Sequence, residues 1–148
     1  MSKTSIHCRT FYFEADFVTS LRCIPMAVRR KLDLCGCKVK LKHWLELSEC
    51  DRKEILMWSD YPEELGKLAQ RLANCSSRIL INDQESWQNT DQIPKDLSCS
   101  CIEIGEQTPS LEQWKALDEL ERFALVKLSH PGHEHRNLAN ALKELVTK

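Results

Sequence analysis

A chain of 148 residues is sized for one domain, and such a chain buries roughly 68–70% of the surface it exposes when unfolded, so a real core is expected. Its 21 Lys and Arg against 22 Asp and Glu leave a formal charge of −1 with no long block of either sign, which gives no electrostatic footprint for nucleic acid. The first residues lack the apolar core of a signal peptide and no segment approaches the ~18 apolar residues of a membrane span, so a cytoplasmic chain without a membrane partner is expected.

Only 4 Gly and 5 Pro, few alternating apolar runs and plentiful Leu, Glu, Lys and Ala predict an all-α fold. Phe11, Phe13 and Phe17 lie in an aromatic segment at 11–22, expected to run extended into a helical turn that packs on the bundle. The Ile24-Pro25 pair opens a helix, because proline is tolerated at the first helical position. Ile24, Val28, Leu32 and Cys35 then share one face, and Gly36 supplies the stop. A short helix carrying Leu41, Trp44 and Leu45 follows, and Ser48 with Asp51 predicts a capped start for a third. Leu65, Leu68, Ala69 and Leu72 mark the inner face of a fourth. Residues 75–92 form a polar linker, in which Ile79 to Ile81 is a small apolar run whose structure the pattern leaves open.

Beyond the linker the same order returns. "IPMAVRRKLDLCG" from 24 matches "IPKDLSCSCIEIG" from 93 at an offset of 69, pairing Gly36 with Gly105. After a one-residue insertion the offset is 70, and Trp44 pairs with Trp114, Arg52 with Arg122 and Leu72 with Leu142. Asp118 and Glu121 repeat the capping pattern, and Leu138, Ala141, Leu142 and Leu145 repeat the last inner face. The expectation is a duplicated unit of about four helices, with copies at 24–74 and 93–146, packed as one compact domain over 1–148.

The duplication also sorts the reactive side chains. Cys35, Cys50, Cys75 and Cys101 stand where the other copy has an apolar residue, so they are expected to fill core space, which breaks both C-x-C pairs as metal sites. Cys23, beside a helix start, keeps the best claim to chemistry as a nucleophile or ligand, against a plainer reading as a packing thiol. His130, His133 and His135 are spaced for zinc or copper, but no further ligand is evident, so a turn and helix cap is preferred and no metal is expected. Arg52 and Arg122 each follow a tryptophan by eight residues and are expected to stack on the indole or pair with an acid. No nucleophile elbow, phosphate-binding loop, dinucleotide fingerprint or zinc-protease motif is present, so no catalytic residue is assigned.

Two long stretches, "FYFEADFVTSLRCIPMAVRRKLDLCGCKVKLKHW" and "RFALVKLSHPGHEHRNLANAL", resemble the conserved nitrate reductase-associated protein family of cyanobacteria. The resemblance covers nearly the whole chain and weakens between 59 and 92. It carries over Phe13, Glu14, Asp16, Phe17, Leu21, Arg22, Cys23, Ile24, Pro25 and Met26 in front, and Arg122, Phe123, Lys127, Ser129, Pro131, His133, Glu134 and Asn137 behind. It implies a non-enzymatic accessory protein of assimilatory nitrate reductase, an enzyme carrying a molybdenum cofactor and an iron–sulfur cluster. The chain itself is expected to bind neither. The expected contact surface comprises Arg22, Cys23, Pro25, Met26 and Arg29 together with Lys127, His133, Glu134 and Asn137, and a homo-oligomer is compatible with the pattern. The alternative is a carrier of metal, cluster or sulfur acting through Cys23.

Overall fold

The computed structural model describes residues 8–14, 21–74, 76–78, 86–130 and 136–146. The chain divides into two compact units, 1–82 and 83–148, and the boundary falls inside the stretch read as a linker. The fold is mostly helical, with eight α-helices and one two-residue ladder among the described residues.

In the first unit a 3-10 turn, Tyr12–Glu14, precedes α1 (Met26–Cys35), β1 (Cys37–Lys38), α2 (Leu41–Glu46), α3 (Glu49–Met57), α4 (Pro62–Arg71) and β2 (Ser77–Arg78). Pro25 occupies the cap position of α1, one residue earlier than the predicted first helical position, with an extended φ of −63° and ψ of 154°. Gly36 ends the helix at φ 73°, a left-handed conformation open to glycine at little steric cost. The chain then leaves as β1, which pairs antiparallel with β2 through Cys37 with Arg78 and Lys38 with Ser77. Helix α3 starts on the predicted cap, the Ser48 hydroxyl accepting from the Asp51 amide at 3.1 Å. Ile24, Val28 and Leu32 meet Trp44, Ile55, Leu65, Leu68 and Leu72 in one apolar cluster. The Ile79 to Ile81 run lies outside the described residues, and the strand beside it is confined to 77–78.

The second unit opens with a 3-10 turn, Ser86–Gln88, followed by α5 (Lys95–Glu103), α6 (Leu111–Ala116), α7 (Glu119–Leu128) and α8 (Arg136–Leu145). Gly105 ends the α5 segment at φ 75°. Capping boxes open α6 at Ser110 and Gln113 and α7 at Asp118 and Glu121. Helix α7 packs against the Ser86–Gln88 turn, α5 and α8. Its residues Leu120, Phe123, Ala124 and Leu125 have no exposed surface, and α8 buries the predicted Leu138, Ala141, Leu142 and Leu145.

The cysteine expectations divide. Cys35 and Cys101 are buried, as the duplication suggested, but Cys50 is exposed, because it lies in the first turn of α3, away from the apolar line through Ile55. Cys75 lies outside the described residues. Cys37 is buried as well, its thiol 3.9 Å from the Cys35 carbonyl, so both thiols of that C-x-C pair sit inside. Burial, reinforced by the neighbouring Cys37 thiol, pushes Cys35 up to about 12. Burial also raises Cys101.

Candidate functional site

The front motif is organised around two backbone clasps, the first buried and the second partly buried. Glu14, 1% exposed, accepts from the Phe11 amide through Oε2 and from the Met26 amide through Oε1, both at 3.0 Å. Pro25 offers α1 no side-chain cap, so a carboxylate twelve residues upstream satisfies one of its open amides. The second clasp holds Leu21, the one described non-glycine residue with a positive φ, at 56°. Its carbonyl accepts from Trp44 Nε1 at 2.7 Å and from Arg52 Nη1 at 3.1 Å. Arg52 also donates from Nε and Nη2 to the Leu47 carbonyl, at 3.1 and 2.9 Å. Arg52 therefore works on backbone oxygens, in place of the expected stacking on an indole or pairing with an acid. A guanidinium presents several donors in a fixed fork, which suits two carbonyls held at different heights.

Between the clasps, the expected contact residues occupy different environments. Arg22 is exposed and Cys23 half-buried, while Pro25 and Met26 are buried. Arg29 is half-buried and donates from Nε to the Ile24 carbonyl at 3.1 Å. Of these five, Arg22 presents its side chain most openly. Lys31 on the same helix is fully buried and donates to the carbonyls of Ile55, Leu56 and Trp58, closing the end of α3. Burial lowers its pKa from 10.5 to about 8, partly opposed by Cys8 and Asp60.

The back motif is organised in the same manner within the second unit. Arg122 donates from Nε to the Trp87 carbonyl at 3.0 Å and from Nη1 to the Leu117 carbonyl, again bonding backbone rather than an acid. Trp114 Nε1 donates to the Asn89 carbonyl at 2.8 Å. The Trp87 ring meets Phe123 edge-on, with centroids 5.1 Å apart, and the Lys127 ammonium lies 5.3 Å over the Phe123 ring. Ser129, 1% exposed, accepts at its carbonyl from the Ser100 hydroxyl at 2.7 Å and donates its own hydroxyl to the Val126 carbonyl at 2.7 Å. These bonds frame a cleft of about 340 Å³ to which Trp87, Lys95, Lys127 and His130 contribute. His133 and Glu134 lie outside the described residues, as does His135, and Asn137 is half-buried near the start of α8.

Sequence reasoning missed Trp87, Ser100 and Lys95. A tryptophan isolated in the polar stretch at 75–92 was the available signal, since an indole of that size rarely remains solvated. Glu14 was carried over with the motif, but its role as a remote cap had no local pattern to reveal it.

A mostly helical protein whose motif residues clasp backbone is the class that fold and site define. The chain belongs to the conserved nitrate reductase-associated protein family, whose model matches residues 10–145. Among curated proteins and solved structures, nothing matches.

Proposed function

We propose that the protein is a non-enzymatic accessory factor that binds nitrate reductase and supports its maturation, assembly or activity. Family membership supports the association, and the observation that carries the accessory role is the Leu21 clasp. Trp44 and Arg52 hold a strained turn whose next residue is the exposed Arg22. A strained turn held by a buried indole and a half-buried guanidinium, with an exposed cation beside it, supports a presented contact, because held strain clusters at functional sites. Different affinities for incomplete and complete enzyme would shift the enzyme toward its competent form.

We also infer that the chain consists of two copies of one unit. Gly36 and Gly105 share a left-handed φ, and in each unit a tryptophan and an arginine donate to backbone carbonyls upstream of their helices. Among the described residues each unit has four α-helices in corresponding order, which supports the same reading.

The test is size-exclusion co-elution of the purified chain with nitrate reductase, prepared with and without its cofactors. Selective co-elution with the incomplete enzyme, lost in Arg22→Ala with unchanged helicity, is the expected result. Co-elution with neither form would sink the accessory role. Loss of enzyme activation in Cys23→Ser, with co-elution intact, would favour the thiol carrier instead.

A further inference from the structure

The cleft of the second unit is a built cavity for which the proposed association names no small-molecule ligand. We infer that it binds a small organic anion, one bearing a carboxylate or phosphate group. The inference does not depend on the association with nitrate reductase.

The lining sets the class of ligand. Lys95 comes from the start of α5, Lys127 from the last turn of α7 and His130 from just beyond it, and among the described lining residues the one carboxylate is Asp96. Two lysines arriving from separate elements favour an anion over a neutral or cationic ligand. Gln92 adds an amide that both donates and accepts, and Asn89 adds an NH2 donor while its oxygen accepts from the Asp91 amide at 2.8 Å, which suits the uncharged part of an organic molecule better than a bare inorganic ion. A volume of about 340 Å³ lies at the lower end of small-molecule sites.

The walls are held in place by bonds independent of any ligand. One wall, the 86–92 segment, is fixed at three points: the Trp87 ring against Phe123, the Trp87 carbonyl on Arg122 and the Asn89 carbonyl on Trp114. The hydrogen bond from Ser100 to the Ser129 carbonyl ties α5 to the end of α7, which fixes the segments bearing Lys95 and Lys127. The Phe123 ring also steadies the Lys127 ammonium, so less side-chain freedom remains to be lost on binding. Preorganisation of this kind lowers the entropic cost that usually makes surface lysines weak binders.

The experiment is an amide-shift titration of the full, isotopically labelled chain with citrate and, separately, with glycerol 3-phosphate, at constant ionic strength. The expected result is saturable shifts at 86–96 and 126–130 with at least one probe. Lys95→Ala and Lys127→Ala should each weaken that binding about tenfold, a loss on the scale of one charge-assisted hydrogen bond. Lys115→Ala, an exposed lysine on α6 outside the lining, should leave it unchanged. Saturation by one probe alone identifies the anionic group preferred. Shifts that stay linear and spread over the exposed lysines would overturn the inference, as would saturable binding that both lining variants retain. Silence toward both probes at about 10 mM, well above a millimolar dissociation constant, would overturn it too.

Discussion

The Arg52 guanidinium reaches across 31 residues to donate to the Leu21 carbonyl, which also receives the Trp44 indole. A left-handed conformation costs a residue with a Cβ roughly 1–2 kcal/mol. A hydrogen bond to a charged donor contributes about 1.5–3 kcal/mol, so the clasp suffices to hold the strained turn.

We predict that Leu21→Gly is more stable than Leu21→Ala by up to about 1 kcal/mol, reversing the usual order, because only glycine relieves the positive φ. Both variants lose a buried side chain and fall below the parent by about 2–5 kcal/mol. Urea unfolding midpoints measure the order. Alanine above glycine would show that the turn relaxes without cost.

Arg52→Lys keeps the charge but replaces a planar fork by a single ammonium, which cannot serve the Leu47 and Leu21 carbonyls in the same geometry. The expected loss is about 1–3 kcal/mol, with faster amide exchange around Arg22. An unchanged midpoint together with unchanged exchange would remove Arg52 from the clasp.

Glu14→Gln is nearly isosteric, yet it turns one of two acceptor oxygens into a donor facing a backbone amide. The substitution should cost about 2–3 kcal/mol, close to the cost of Glu14→Ala, by leaving a buried donor without a partner. Differential unfolding of the two variants decides this, and a near-neutral glutamine variant would count against the double bond to Phe11 and Met26.

Lys31 and Cys35 set opposing pH dependences. Between pH 8 and 10.5 the folded chain has released the Lys31 proton that the unfolded chain retains, so stability rises with pH through this window, by up to about 3 kcal/mol when complete. Above pH 9 the unfolded Cys35 thiol ionises while the buried one stays protonated to about 12, so this group lowers stability as pH rises. Unfolding midpoints in the presence of a reductant should rise above pH 8, level off between about 9 and 10.5 where the two slopes cancel, and fall above that. Lys31→Met should lose the rising limb, and Cys35→Ala should soften the fall.

Helix positions were legible because their signals are local. Ser48 and Asp118 announced their caps, Gly36 and Gly105 their stops, and Leu138 to Leu145 a buried face at helical spacing. The candidate sites were less legible because their bonds run between residues far apart in sequence. Arg52 and Arg122 were expected to seek rings or acids, whereas their partners are carbonyls, which every residue carries and no sequence pattern distinguishes. Trp87 was passed over because polar neighbours surround it in the chain, although Phe123 and the donor of Arg122 surround it in space. Cys50 failed for a related reason: equivalence with an apolar position in another helix does not fix which way the first turn faces.

The separation between Leu21 and its two donors also bears on how the protein is made. At synthesis rates of about 5–20 residues per second, Arg52 follows Leu21 by about two to six seconds, and the left-handed turn has neither donor until Trp44 and then Arg52 appear. The Arg22 surface is therefore assembled only after the nascent chain has passed α2 and entered α3, and a translational pause before that point would leave the growing chain without the feature it is proposed to present.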